Sequence, residues 1–246
     1  MRSVAELFAR PIPAHESGET LRWSRFLAST IAEGPGRRSA LWVQGCSIRC
    51  PGCFNPHLWA AAGARLDSTE DVARDLVARS VAAGVEGVTL LGGEPFDQAA
   101  ALAEVAAAYR SAGLTVMTFS GYTLDALSEW ALERSDIAAL LAATDLLVDG
   151  PYLRDRPDAR RPWLGSTNQG IRALTPAYTE TVAAIEAAAA LGAVAAAAES
   201  GDRVEIRISV DGRIDVNGWA DDAALAALFD DLGARADGPL RKEKNR

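Results

Sequence analysis

Two periodicities take turns along this chain. Short apolar runs, "ALWVQG", "VEGVTLLGG", "LTVMTFSG" and "LLVDG", end in glycine or polar residues and predict buried strands. Between them, "STEDVARDLVARSVAAG", "DQAAALAEVAAAYRSAG" and "TLDALSEWALE" repeat apolar residues at helical spacing. The first of these helices opens on Ser68, an N-capping residue with carboxylates behind it, and closes at Gly84. The second closes at Gly113. "LRWSRFLAST" predicts an earlier strand, and "AEGPGRRS" a turn, because Gly34-Pro35-Gly36 admits no regular structure.

Strand and helix in alternation are the mark of parallel βα units, so the fold class is α/β. The strand ends read "QGC", "LGGEP", "TFSGY" and "LVDGPY". Parallel α/β folds carry their sites at the carboxyl ends of strands, which predicts that these four segments gather on one rim. Residues 151–174 read as loop, with Pro151, Pro157 and Pro162. An Ala-rich helical segment follows, then "RVEIRISVDGRIDVNGW". Its alternating Val204, Ile206, Ile208 and Val210, the Asp211-Gly212 pair, and Ile214 and Val216 predict a hairpin with a tight turn. "DDAALAALFDDLG" predicts a terminal amphipathic helix. The expected division is a leader over 1–20, a core over 21–174 and an extension over 175–246.

Composition agrees with a packed domain: 49% of the 246 residues are hydrophobic and 24% charged. The net charge of −8 argues against a broad nucleic-acid surface. The Ala-rich run at 182–198 is weakly apolar and carries Glu186, and the first residues lack the continuous apolar stretch of a signal peptide. The chain therefore reads as soluble and cytoplasmic, with neither membrane nor nucleic acid as partner.

The candidate chemistry lies in "QGCSIRCPGCFNPHLW", which holds all three cysteines, Cys46, Cys50 and Cys53. Clustering in one loop does not suggest a disulfide framework. A closed zinc site wants four protein ligands and would have to recruit His57. Independent buried thiols fit poorly with Gly45, Pro51 and Gly52, which shape a loop. The remaining reading is a four-iron cluster on three thiolates, since a closed electron-transfer cluster takes four. One iron left without a protein ligand makes sense where a small molecule must coordinate it.

Cys-x3-Cys-x2-Cys resembles the signature of the radical S-adenosylmethionine (SAM) enzymes. Gly52 stands where that superfamily often has an aromatic, and Phe54 follows the third cysteine instead. That variant is similar to the activating enzymes of glycyl-radical enzymes. Over residues 21–174 the segments "EGPGRRSALWVQGC", "CPGCFNPHLW", "TLLGGEPFDQ", "TFSGYT", "LLVDGPY" and "RPWLGSTNQ" resemble, in order, those of the anaerobic ribonucleoside-triphosphate reductase activating proteins.

The resemblance implies a partial (βα) TIM-type barrel of parallel strands, followed here by a C-terminal helix and β-hairpin. It implies one 4Fe-4S cluster on Cys46, Cys50 and Cys53, with SAM on the open iron. In "LLGGEP", Gly92 and Gly93 would let backbone approach a ligand, Glu94 would offer a carboxylate to the SAM amino group, and Pro95 would fix the turn; a plain strand-to-helix turn is the simpler reading. Thr118 and Ser120 would line the ribose or methionine pocket, or merely end a strand. Asp149 would face cofactor or substrate, or cap a turn. Asn168 and Gln169 would hydrogen-bond SAM or a peptide backbone, or form a loop. Arg37, Arg38 and Arg49 would stabilise a negative cluster or dock an acidic partner, against the default of solvated charge. His15 and His57 have no paired nucleophile, and no acid–base residue is required.

The implied activity is reductive cleavage of SAM to a 5′-deoxyadenosyl radical that abstracts hydrogen from a glycine of a glycyl-radical partner. The implied electron source is a one-electron reductant such as flavodoxin or ferredoxin. Two alternatives stand beside it: a radical SAM maturase or biosynthetic enzyme, because residues 175–246 lie beyond the resemblance, and a non-catalytic zinc- or cluster-binding module.

Overall fold

The computed structural model describes residues 13–14, 16–191, 205–208 and 214–218. In chain order the elements are β1 (Thr20–Thr30), β2 (Arg38–Val43), β3 (Arg65–Ser68), α1 (Thr69–Ala82), β4 (Gly87–Gly92), α2 (Ala99–Ser111) and β5 (Thr115–Phe119). They continue with α3 (Leu124–Trp130), α4 (Ser135–Ala143), β6 (Leu146–Asp149), β7 (Gly170–Ala173), α5 (Thr179–Ala190), β8 (Glu205–Ile208) and β9 (Ile214–Asn217). The caps follow local chemistry: Ser68 Oγ accepts from Asp71 N at 3.4 Å, and Thr123 Oγ1 from Ala126 N at 3.3 Å.

The fold is mixed α/β. Seven strands form one sheet in the order β3-β1-β2-β4-β5-β6-β7. β2, β4, β5 and β6 are parallel, and their apolar runs are the ones expected. β1, β3 and β7 pair antiparallel with their neighbours, and the sheet is open, with β3 and β7 as its edges. The expected α/β class holds, and the sheet does not close on itself. β7 lies inside the stretch read as loop. Four residues carry little strand signal of their own, and β7 is specified by its ladder to β6, Asp149 against Gly170 through Leu146 against Ala173.

Both faces of the parallel strands are covered, which is why their sequences read as continuous apolar runs. Leu41, Val43, Val88, Leu90, Val116 and Leu147 pack against α1 to α4 through residues such as Leu76, Leu102, Val105 and Leu140. On the opposite face, Met117, Leu146 and Val148 meet Ile185 of α5, Ile171 and Leu164. Ala40, Trp42 and Leu91 meet Leu58. No described helix is long and apolar enough to cross a membrane.

β8 and β9 pair as the hairpin expected, Ile206 opposite Val216. Its Asp211-Gly212 turn lies outside the described residues, as do the terminal helix, His15 and most of the leader. Thr30 Oγ1 donates to Glu205 at 2.6 Å and Gly218 N to Glu33 at 3.2 Å, tying the hairpin to the β1 end.

Arg38 corrects an expectation. It starts β2, at the strand end away from the cysteines, and is fully buried. Its guanidinium donates to Thr89 Oγ1 (3.0 Å), Tyr178 OH (2.6 Å), Val88 O (2.8 Å), Thr115 O (3.2 Å), Thr115 Oγ1 (3.2 Å) and Pro35 O (3.3 Å). Burial pulls its pKa down, and the Tyr178 hydroxyl acts the other way. The fork thus joins β2, β4, β5 and the turn before α5, a geometry that a lysine point charge cannot copy. Arg38→Ala leaves several buried acceptors unpaired and is expected to cost about 3 kcal/mol, with Arg38→Lys recovering less than half. Urea unfolding measures it; a cost under about 1 kcal/mol would contradict this role.

Candidate functional site

The rim of the parallel strands is built by register. Val43 of β2 lies opposite Gly92 of β4, so the cysteine loop and the "GGEP" turn leave the sheet side by side. The loop closes on itself at its neck: Gly45 N donates to Leu58 O (2.9 Å) and Cys46 N to Trp59 O (3.1 Å). Gln44 Nε2 reaches Ala60 O and Ala62 O, both at 3.0 Å. Gln98 Nε2 holds Gln44 O (3.2 Å) and Arg22 O (3.1 Å) from the other side.

Within the loop, Cys53 N donates to Cys50 O at 3.1 Å. Arg49 N points at Cys46 Sγ (3.5 Å) and Asn55 N at Cys53 Sγ (3.3 Å). Arg49 reaches this with φ 55°, and Gly52 with φ 82°. Backbone N–H groups aimed at sulfur favour the thiolate and tune a cluster bound to it. Cys50 is buried, Cys46 and Cys53 partly so, and all three are free thiols. Burial, with Glu94 next, pushes the Cys46 thiol up to about 12. A soft cation taking the sulfur as ligand reverses that preference, because its charge outweighs the local desolvation. Three thiols in one loop, two of them met by backbone N–H groups, suit an iron–sulfur group by donor chemistry; among the described residues no three His, Cys, Asp or Glu side chains already stand together as a metal site.

The "GGEP" turn braces this loop. Gly92 has φ 111°, and a Cβ there would meet Val43 O at 2.7 Å. A Cβ on Gly93 would run into Gly45 O. Gly93 N donates to Val43 O (2.8 Å) and Glu94 N to Gly45 O (2.9 Å). What these glycines approach in the structure is the loop's own backbone. Glu94 is buried and accepts from Phe96 N (3.0 Å), Ser120 Oγ (2.9 Å) and Gly121 N (2.8 Å), so it binds the end of β4 to the end of β5. Pro95 begins the short turn Pro95–Gln98 that Glu94 caps. Burial, then the Asp97 charge, pushes the Glu94 carboxyl up to about 8.

The other expected residues divide. Ser120 sits at the rim, donating to Glu94 and accepting from Tyr122 N at 3.0 Å. Thr118 is fully buried and bonds Thr144 Oγ1 at 2.9 Å, beneath the rim. Asp149 accepts from Leu124 N (2.9 Å) at the start of α3 and from Arg172 Nε (3.2 Å). Asn168 Nδ2 donates to Pro151 O at 2.7 Å, and its Oδ1 is buried with no partner among the described residues. Gln169 ties its own loop through Gly165 N and Gly150 O.

Sequence reasoning missed Asp97, Ser47 and Tyr122. Asp97 accepts from Ser47 N (2.7 Å), Ser47 Oγ (2.9 Å) and Tyr122 OH (2.9 Å), fixing the residue after Cys46. Burial raises its pKa. Its one signal was its place in "GGEPFDQ", three residues past Glu94. Beside Cys46 opens a cavity of about 270 Å³ lined by Arg22, Arg49, Trp59, Glu16 and Asp97 among others.

Two outcomes follow for the metal-free chain. Gly93→Ala must push the loop neck away from β4 and is expected to destabilise by at least about 2 kcal/mol, read by thermal unfolding; an unchanged midpoint would refute the close approach. Second, the folded pKa of Glu94, about 8, lies above the ordinary 4.5. Between those values the folded chain keeps a proton that the unfolded chain has shed, so stability falls as pH climbs. Asp97 and Glu33, also raised, act in the same sense. Urea unfolding at several pH values between about 5 and 8 should show a declining free energy, with a shallower slope for Glu94→Gln; a rise across that window would contradict it.

Comparison with known proteins agrees with this geometry. Residues 32–172 match the family described as the 4Fe-4S single cluster domain. The chain is also similar to proteins named anaerobic ribonucleoside-triphosphate reductase-activating protein. That of Salmonella typhimurium is 28% identical over 63% of this chain and 99% of its own. That of Pasteurella multocida is 30% identical over the same shares. That of Enterobacteria phage T4 is 27% identical over 63% of this chain and 96% of its own. The match spans nearly the whole of each relative. With its three thiols gathered in the matched region, the chain belongs to the 4Fe-4S single cluster domain family and is a relative of the anaerobic ribonucleotide reductase activating proteins.

Proposed function

We propose that the chain is a radical SAM activating enzyme whose 4Fe-4S cluster is held by Cys46, Cys50 and Cys53. The observation that carries this is the cysteine loop, with backbone N–H groups on two sulfurs and its neck clamped by the "GGEP" turn. The cluster, when bound and reduced, supplies the electron that splits SAM into methionine and a 5′-deoxyadenosyl radical. The protein's part is binding, orientation and exclusion of side reactions.

Each residue then has a task. Cys46, Cys50 and Cys53 would hold the cluster as thiolates, and SAM would bind beside them. Gly92, Gly93 and Pro95 set the turn that faces it, and Glu94 keeps that turn joined to Ser120 and Gly121. The unpartnered Oδ1 of Asn168 is an acceptor for a cofactor or peptide N–H. Thr118 and Asp149 support the rim from behind, through Thr144 and the start of α3. Asp97 steadies Ser47 and with it Cys46. The four parallel strands serve as the partial (βα) barrel, and its open side suits a protein substrate. The relatives' name supports an anaerobic ribonucleoside-triphosphate reductase as the partner, one of whose glycines would be the hydrogen donor. A cytoplasmic setting and a flavodoxin- or ferredoxin-type reductant complete the reading.

Anaerobic reconstitution tests it. The chain should take up about four irons and, with dithionite, convert SAM to 5′-deoxyadenosine. Cys50→Ala should abolish both. With a reductase partner, an organic radical should appear on that partner in electron paramagnetic resonance. One stable zinc per chain with no SAM cleavage would sink the proposal.

A further inference from the structure

The surface around the cysteine loop differs in charge from the rest of the molecule. The chain carries −8 overall, yet residues 46–59 contain no Asp or Glu. The neighbouring segment 150–163 carries Arg154, Arg156, Arg160 and Arg161 against Asp155 and Asp158. Asp158 is buried and already bound to Arg161 at 2.8 Å, which leaves Asp155 as the only other acid of that segment.

The two segments touch. Tyr152 lies against Phe54 with ring centroids 5.1 Å apart, tilted by 48°. The Arg154 side chain covers Gly52, where a Cβ would meet its Cδ at 2.8 Å. Arg49 holds Cys46 O at 3.2 Å through Nε. Arg49, Arg154, Arg156 and Arg160 are all exposed, and Phe54 is 47% exposed. Among the described residues, none of these four arginines makes an ion pair. The outcome is an aromatic centre flanked by cations, immediately outside Cys50 and Cys53.

We infer that this face, with Arg49 and Arg154 beside Phe54 and Tyr152, is the docking surface for an acidic protein that delivers single electrons to the cysteine site. The inference rests on the proposed function, which requires one electron per SAM cleaved. The donor loses that electron and the cysteine site gains it; no bond is made or broken in the transfer. Transfer is fastest where the site comes nearest the surface, and Phe54, next in sequence to Cys53, is such a place. Opposite charge on the partner raises the encounter rate and turns its redox centre toward the loop, while the chain's net negative charge repels an acidic donor elsewhere. An aromatic core inside a charged rim is also the anatomy of a transient interface.

Reconstituted chain and two probes, a flavodoxin and a plant-type ferredoxin, test it. Affinity is read by calorimetry at two salt concentrations, and cluster reduction by absorbance, driven either by the reduced probe or by dithionite. Arg154→Glu should weaken binding of at least one probe by roughly tenfold and flatten its salt dependence. Reduction by dithionite should be unchanged. Arg154→Lys keeps the charge and should bind nearly as the parent does. Arg74→Glu makes the same charge change on exposed α1 and should have little effect. Equal weakening by Arg74→Glu, or unaltered affinity in Arg154→Glu, would overturn the inference. So would loss of reductase activation in Arg154→Glu with probe binding intact, which would give the face to the reductase. Absence of dithionite-driven SAM cleavage in the parent chain would instead count against the function itself.

Discussion

The contact on which the site depends is between two pieces of backbone. The carbonyl of Gly45 accepts the N–H of Glu94, and the Cα of Gly93 comes so near that no side chain fits. This joins the cysteine loop, an irregular segment with little secondary structure of its own, to a buried parallel strand. Everything at the rim is referred to that junction. Cys46 follows Gly45 directly, and Glu94 carries the constraint on to Ser120 and Gly121 at the next strand. Asp97 then returns it to Ser47. The irregular loop gains its rigidity from these neighbours.

Buried Glu94 and half-buried Asp97 lie by Cys46; the Asp97 charge opposes ionisation of Glu94, and both oppose that of Cys46. That arrangement is costly without a cation and favourable with one. The same logic separates this rim from the other end of the sheet. There the buried charge is Arg38, satisfied by six hydrogen bonds to neutral groups, and it serves packing. The β2 strand therefore runs from a structural cation at its start to the cysteine loop at its end.

The α5 helix and its preceding turn give the extension a definite place. Ile185 and Tyr178 cover Met117, Leu146 and Val148 on the sheet face opposite α1 to α4. Tyr178 also meets Arg38. This segment lies beyond the matched residues 32–172, yet it completes the burial of strands within them. The length of apolar sequence in β5 and β6 is explained only when that second layer is included.

Much was legible in the order of residues. The parallel strands, their helices, the Ser68 cap and the hairpin pairing follow from local periodicity and capping chemistry, which act over a few residues. The cysteine spacing pointed to a cluster because thiolates with that separation share one loop. What the order could not show is how residues far apart in sequence share partners. The contact of Gly93 with Gly45, and the bonds of Asp149 to the start of α3 and to Arg172, are of this kind. Asp97 and Ser47, fifty apart, and the strand pairing of β7 depend on the sheet's register alone. Local preferences are set by neighbours along the chain, so sequence determined most of the elements, though not β7, and the donor atoms. Orientation at the rim depends on which backbones come within contact, and that only the tertiary structure decided.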